Sequence, residues 1–258
     1  MTLSRREFTA VLGTALLADL LGCGAAAPAP AESPERLIIP PTSPTHSTAP
    51  TGLRPLSLDR GRDGQLYVPQ SYDPAVASAL IILLHGAGQS SAEWFGSYGR
   101  RADALKEILL APDSRGQTWD VANGGFGPDV AFINRALRSV FSRYNVDRRR
   151  ITLAGFSDGA SYSLSLGLAN GDVVPNVIAF SPGFVVRTVR RGTPAFFISH
   201  GTSDQILNID RASRPIVASL KRDGYSVEYR EFDGRHEVPQ AISDAAMEWL
   251  VKRQMVAG

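Results

Sequence analysis

The sequence predicts an α/β fold: a single domain in which helices cover both faces of one mostly parallel sheet. Short, continuous apolar runs recur along the chain, as expected for strands that are buried on both faces. Helical patterns separate these runs, and this alternation is typical of parallel sheets. The chain has 258 residues, of which 43% are apolar and 20% charged. It can therefore bury a sizeable core, and it is not a disordered or collagen-like protein.

The first 50 residues lack this alternation, and their start has the features of an export signal. Arg5 and Arg6 precede an apolar stretch over residues 11–21, which is too short to span a bilayer but suits the core of a signal peptide. Ser4–Phe8 resembles a twin-arginine signal. Leu20–Cys23 resembles a bacterial lipobox, a resemblance that implies a lipid on Cys23. The alternative is an ordinary signal peptide with an unrelated cysteine.

We therefore predict three segments: an export signal over residues 1–22, a tether over 23–54 and a folded domain over 55–258. The tether is rich in Pro, Ala, Ser and Thr, and such a composition cannot offset the entropy cost of folding. It is expected to be extended and semi-rigid. The lipobox implies an exported protein of the bacterial cell envelope, anchored to a membrane through Cys23.

The elements of the folded domain follow from local patterns. Continuous apolar runs predict central strands at Ala79–Leu84, Ile108–Leu110, Ile151–Ala154, Val177–Phe180 and Ala195–Ile198. Alternating segments predict flanking strands at Gln65–Val68 and Val227–Phe232. Helical spacing predicts helices between Val130 and Tyr144, over Ser157–Ala169, over Asn208–Arg222 and between Ile242 and Leu250. Because parallel strands end at one edge, functional residues are expected just after strands.

A nucleophile motif follows one of these strands. Gly155–Gly159 reads G-x-S-x-G, between a predicted strand and a predicted helix. The glycines leave room for a tight turn that lifts the Ser157 hydroxyl to the sheet edge. The start of the helix offers N–H groups and a positive dipole end to a developing anion. The alternative is a plain turn in which Ser157 only caps the helix.

Four segments together resemble the α/β-hydrolase superfamily in order along the chain: Leu84–Gly88, Gly155–Gly159, His200–Asp204 and Gly234–His236. The resemblance covers about residues 62–252 and is strongest to small carboxylesterases and phospholipases and to polyhydroxybutyrate-depolymerase-like esterases. It implies a serine esterase that acts on small-molecule or polymer esters through an acyl-enzyme, without a cofactor or metal.

The family order of serine, acid and histidine narrows the choice of acid. The Asp candidates between Ser157 and His236 are Asp158, Asp172, Asp204, Asp210, Asp223 and Asp233. Asp204 follows the strand Ala195–Ile198 by a short loop, at the expected edge of the sheet. Asp233 follows the last strand and is the alternative. The other four adjoin the nucleophile, follow a helix or belong to one.

His236 is the candidate base, because it lies between the last predicted strand and the last predicted helix. His85 and His200 each precede a glycine and are expected to hold their loops, and His85 as base would reverse the family order. His236 would take the proton of Ser157 while Asp204 orients the imidazole. The family pattern places the oxyanion donors on the backbone N–H groups of Ala87 and Asp158.

The loop Asp113–Pro128 follows a strand and is expected to overhang the site. Trp119 and Phe126 are its candidates for lining a substrate pocket, the alternative being that both pack beneath the loop. Trp94, outside this loop, is a third candidate. Its glycine-rich part, Asn123–Gly127, does not predict a phosphate site, because no Lys-Ser/Thr pair follows.

Composition excludes other classes of protein. The net charge of +2 is too small to indicate a nucleic-acid partner. One cysteine allows neither an internal disulfide nor a cysteine-based zinc site.

Two alternatives to the serine esterase stay open. One is a peptidase or thioesterase with the same triad, and the other is a non-catalytic envelope lipoprotein that binds a ligand on a hydrolase fold.

Overall fold

The computed structural model describes residues 33–41, 49–95 and 102–256. The predicted export signal over residues 1–22 and the predicted lipid attachment at Cys23 lie outside the described residues.

The described residues form one sheet of eight strands. The strands are β1 (Gly52–Pro55), β2 (Gly64–Val68), β3 (Ser78–Leu84), β4 (Ile108–Pro112), β5 (Val146–Phe156), β6 (Asn176–Phe180), β7 (Ala195–Gly201) and β8 (Val227–Phe232). Their order is β1-β2-β4-β3-β5-β6-β7-β8. β1 pairs antiparallel with β2, and β2 pairs antiparallel with β4. β3 to β8 are all parallel to one another. The predicted mostly parallel α/β sheet is therefore confirmed.

Residues 102–105 are helical, and the α-helices whose full bounds the structure describes lie between the parallel strands and after β8. They are α1 (Pro128–Phe141), α2 (Asp158–Asn170), α3 (Ser213–Arg222) and α4 (Gln240–Val256), with short 3₁₀ helices at Ser91–Trp94 and Asp120–Asn123. The predicted start of α3 at Asn208 is wrong. The helix begins at Ser213, which puts Pro215 in the first turn, where its missing N–H has no acceptor within the helix.

In the described part of the chain, no helix has the length and apolarity needed to span a membrane.

The side chains of β3 alternate between two packed layers. Leu80, Ile82 and Leu84 face the layer that contains α1 and part of α2, and Ile81 and Leu83 face the layer that contains α4. All seven residues of β3 are buried. Helices on both sides exclude water from the sheet, so the functional groups collect in the loops at its carboxyl edge.

Residues 33–41, which we call the strap, pack on the folded domain. Leu37 and Ile39 are only 2% and 8% exposed, within the core cluster that contains α1. Asn170 accepts the Leu37 N–H at 2.8 Å and donates to the carbonyl of Glu35 at 2.8 Å. Asn134 accepts the Ile38 N–H at 2.8 Å. Two amide side chains thus bind the backbone of the strap, and Asn170 satisfies the two groups that are buried, the Leu37 N–H and the Glu35 carbonyl.

The prediction that residues 23–54 form an extended tether is wrong for the strap and for β1. The compact unit runs from Ser33 to Gly258, and Gly52–Pro55 pairs with β2. Ordering this segment costs conformational entropy. The burial of Leu37 and Ile39 offsets that cost, although the Pro-rich composition of the segment did not indicate it.

Candidate active site

The predicted nucleophile lies on a strained turn between β5 and α2. Ser157 has φ 56° and ψ −121°, a conformation that costs a non-glycine residue about 1–3 kcal/mol. The neighbouring glycines permit the turn. A Cβ atom on Gly155 would lie 2.2 Å from the Gly159 carbonyl oxygen, and one on Gly159 would lie 2.1 Å from the Leu84 carbonyl oxygen. The turn therefore requires glycine at both positions, and it holds the hydroxyl at the carboxyl edge of the sheet.

The structure brings Ser157, His236 and Asp204 together. His236 follows β8, and its Nε2 atom lies 2.9 Å from Oγ of Ser157. Asp204 follows β7, and its Oδ2 atom lies 2.6 Å from Nδ1 of His236. The carboxylate of Asp204 is fully buried and the imidazole of His236 is 15% exposed. This series can move a proton off the hydroxyl and stabilise the charged imidazole that results.

Hydrogen bonds hold Asp204 in its charged form. Its Oδ1 atom accepts the N–H groups of Ile206 at 2.8 Å and Leu207 at 2.9 Å. Burial alone would raise the pKa of Asp204, but the hydrogen bonds from the Leu207 N–H, His236 and the Ile206 N–H outweigh it and lower that pKa. The alternative acid, Asp233, is exposed and makes no hydrogen bond to His236 in the described structure.

The predicted oxyanion donors lie on two segments beside the nucleophile. Ala87 follows Gly86, where a Cβ atom would lie 3.4 Å from Cβ of Ser157. Asp158 is the first residue of α2. Neither backbone N–H is a donor among the turn, loop and cap hydrogen bonds of the described residues, and both stay predicted donors. The Asp158 carboxylate accepts the Thr118 hydroxyl at 2.6 Å, which ties the loop over residues 113–128 to the start of the helix.

Side chains from other segments hold the loop that carries Ala87, the predicted oxyanion donor. The ring of His85 is held by the Gly86 carbonyl, 2.7 Å from Nδ1, and by the Ser114 N–H, 3.0 Å from Nε2. Arg62 donates to the carbonyl of Gln89 at 2.7 Å. Burial, with the charge of Arg62, lowers the pKa of His85. A neutral His85 that holds its loop agrees with these contacts.

Trp119 does not line a pocket. Its side chain is fully buried, donates Nε1–H to the carbonyl of His85 at 2.8 Å and stacks on Tyr162. The prediction for Trp119 is therefore wrong, because the loop folds this residue inward. Phe126 is half-buried and also packs on Tyr162, with ring centroids 5.7 Å apart. A substrate contact for Phe126 stays a prediction.

A cavity of about 230 Å³ lies beside the nucleophile. Phe156 connects it to the three functional residues, because its ring lies 4.8 Å from the imidazole of His236, centroid to centroid. The lining residues are Gln89, Glu93, Trp94, Phe156, Val238, Gln240 and Ser243. Of these residues, only Trp94 is a pocket candidate from the sequence. Phe156 carried a usable signal, since it lies within G-x-S-x-G, whereas the rest come together only through the fold.

The described residues do not converge on a metal site, since no three His, Cys, Asp or Glu side chains among them form a metal-binding group. Residues 81–255 match the model of the alpha/beta hydrolase family. This chain belongs to that family.

Known hydrolases resemble this family member in sequence and in fold. Feruloyl esterase C of Emericella nidulans is 28% identical over 178 residues, which cover 65% of this chain and 64% of that protein. The chain thus spans less than two thirds of that relative's length. Esterase PE8 has a TM-score of 0.60 at 19% identity and covers 73% of this chain and 97% of its own. A ferulic acid esterase of Anaeromyces mucronatus, solved with ferulic acid, has a TM-score of 0.59 at 18% identity and covers 74% and 84%.

Proposed function

We propose that this α/β hydrolase cleaves carboxylic esters through an acyl-enzyme on Ser157. One observation carries the proposal: the continuous hydrogen-bonded series from the Ser157 hydroxyl through His236 to the buried carboxylate of Asp204, at 2.9 and 2.6 Å. A serine hydroxyl is a weak nucleophile unless a base adjoins it. Here the base adjoins it, and a charged carboxylate fixes the base.

The reaction runs in two halves. Oγ of Ser157 attacks the ester carbonyl carbon while Nε2 of His236 takes its proton. The tetrahedral oxyanion accepts hydrogen bonds from the N–H groups of Ala87 and Asp158, each worth about 3–4 kcal/mol of barrier lowering. His236 then protonates the leaving alcohol as the ester C–O bond breaks. Water repeats the sequence on the acyl-enzyme, and the carboxylic acid and free Ser157 result.

The relatives and the cavity indicate which acyl group the ester carries. Feruloyl esterases are among the relatives of this chain, and the cavity of about 230 Å³ joins apolar Trp94, Phe156 and Val238 to several polar side chains. Such a lining suits a ring that carries hydroxyl or methoxyl groups. We propose that it receives the aromatic acyl group of a hydroxycinnamate ester.

The test of the proposed function is Ser157→Ala. We expect hydrolysis of 4-nitrophenyl acetate to fall by roughly 10⁶-fold, as for loss of a triad serine. A fluorophosphonate probe should label the unaltered chain and not the variant. Unchanged melting temperature would show that the variant is folded, and undiminished hydrolysis would overturn the proposal. Thioester and peptide substrates in the same assay address the thioesterase and peptidase alternatives.

We further propose that the chain is exported and carries a lipid on Cys23. The support is the sequence of Arg5, Arg6, the apolar stretch and the lipobox-like Leu20–Cys23. Bacteria expressing the full chain should incorporate labelled palmitate into it, and Cys23→Ser should abolish the label. Equal labelling of both would contradict this proposal without affecting the proposed reaction.

A further inference from the structure

His200, like His236, contacts the triad acid. It lies on β7, the strand that leads into the Asp204 loop, and it is fully buried. Its Nε2 atom is 2.8 Å from the Leu207 carbonyl oxygen and 3.1 Å from Oδ2 of Asp204. That Oδ2 atom is the same oxygen that contacts His236. From its sequence position alone, His200 is expected only to hold its own loop.

The surroundings of His200 determine which ring nitrogen carries the proton. Both acceptors face Nε2, whereas Nδ1 is buried and has no hydrogen-bond partner among the described residues. A lone pair on Nε2 would face two oxygen atoms and be repelled, so Nε2 carries the hydrogen and donates it. Burial lowers the pKa of His200. The ring is thus a neutral donor whose Nε2–H is hydrogen-bonded to the Leu207 carbonyl oxygen and lies beside Oδ2 of Asp204, 3.1 Å from Nε2.

His200 completes a closed set of hydrogen bonds and one polar contact around the carboxylate of Asp204. Leu207 is bound at both ends, since its N–H reaches Oδ1 of Asp204 and its carbonyl oxygen accepts from His200. Oδ1 also accepts from Ile206, and Oδ2 lies between the two imidazoles. A carboxylate held at both oxygens cannot rotate away from Nδ1 of His236 without breaking buried hydrogen bonds.

We propose that His200 is a positioning residue, which keeps the Asp204 carboxylate in the orientation that His236 requires. This inference rests on the proposed function. It assigns His200 no contact with substrate. Its effect on the reaction passes through Asp204, so it depends on the presence of that carboxylate.

The first test compares His200→Phe with His200→Gln in the full chain. Phe keeps the buried ring but has no N–H, whereas the Gln amide can donate from a similar position. We expect kcat for 4-nitrophenyl acetate to fall about 10- to 100-fold in His200→Phe, with KM within about threefold, because a misplacement near 1 Å costs about this much. His200→Gln should recover most of the loss. Full activity in His200→Phe would overturn the proposal.

A double-mutant cycle separates positioning from a general structural role. In an Asp204→Ala background the carboxylate is absent, so adding His200→Phe should lower kcat by less than about threefold. A further loss as large as in the unaltered chain would overturn the proposal. If Ser157→Ala were fully active, the proposed function would fail instead. An inactive Ser157→Ala beside a fully active His200→Phe would remove only the present inference.

If His200→Phe does not fold, NMR of the unaltered chain still tests the proposal. ¹⁵N-histidine NMR of the unaltered full chain distinguishes the two neutral tautomers and the charged ring. The His200 resonance, identified by its loss in His200→Gln, should show hydrogen on Nε2 alone at pH 7. Hydrogen on Nδ1 alone, or on both nitrogens, would contradict the arrangement described here.

Discussion

Oδ2 of Asp204 lies 2.6 Å from Nδ1 of His236, although 32 positions of sequence separate the two residues. The pairing arises because β7 and β8 are parallel neighbours, with His200 opposite Glu231 in register. Each functional residue follows its strand by a few positions, so both side chains reach the same edge. Asp233 also follows β8, but it is exposed. The sheet therefore selects between two carboxylates that the sequence left as alternatives.

Exchange of each carboxylate for an amide tests this selection. Asp204→Asn should lower kcat by about 10⁴-fold, because an amide no longer holds the imidazole in the required tautomer. Asp233→Asn, the matched control, should change kcat by less than about twofold, as for an exposed side chain that makes no hydrogen bond to His236 in the described structure. A larger loss in Asp233→Asn than in Asp204→Asn would reverse the assignment of the acid.

The strap is predicted to contribute to the stability of the domain. Leu37→Ala should lower the free energy of unfolding by about 2–5 kcal/mol, as for other buried leucines. Its neighbour Ile38 is 37% exposed, so Ile38→Ala is a matched control and should cost less than about 1 kcal/mol. Urea unfolding followed by tryptophan fluorescence measures both. Equal effects of the two variants would show that the strap does not pack as described.

The packing of the strap could not be predicted from local sequence, in contrast to the strands and the site. The strands and the site followed from local signals, namely continuous apolar runs and G-x-S-x-G. By contrast, Leu37 lies in a Pro-rich stretch, and its backbone N–H is bound by Asn170, 133 positions away. Nothing local distinguishes such an amide side chain from a solvated one. The short apolar run Leu37–Ile39 was the one available sign that the chain packs there.

The loop over residues 113–128 shows a second limit. Its place after β4 correctly indicated that it lies near the site. The direction of Trp119 depended on a hydrogen bond to the His85 carbonyl and on the ring of Tyr162, and both partners come from other segments. Position after a strand therefore predicts which loops surround a site, but not which side chains point into it.

Stability should depend on pH through Glu107. This carboxyl is buried just before β4, one of its oxygens has no hydrogen-bond partner in the described structure, and burial raises its pKa from 4.5 to about 7. Below pH 4.5 the group is neutral in both the folded and the unfolded state. As the pH rises to 7, the unfolded chain ionises first. Folding stability is therefore lost over this range, by about 3 kcal/mol at pH 8.

Glu107→Gln should remove this dependence, because an amide does not ionise. We expect the variant to gain about 3 kcal/mol relative to the unaltered chain between pH 4.5 and pH 8. The comparison between two pH values cancels any constant cost of burying the amide. Glu248→Gln, at an exposed position of α4, should show no such gain. Parallel pH profiles for the two variants would show that the Glu107 carboxyl is not buried in a neutral form.

The cavity beside Phe156 should determine which acyl groups react. Val238 lines it, so Val238→Phe should fill much of its volume of about 230 Å³. We expect kcat/KM for methyl ferulate, which has a large acyl group and a small alcohol, to fall at least about tenfold, equivalent to about 1.4 kcal/mol of lost binding. For 4-nitrophenyl acetate, which has a small acyl group and a large alcohol, the change should stay within about threefold.

Val76→Phe, at a position that is 61% exposed, controls for added bulk. A selective loss with the acetate would assign the cavity to the alcohol group instead. Equal losses with both esters would show that the variant displaces His236, and the acyl-pocket assignment would then be wrong.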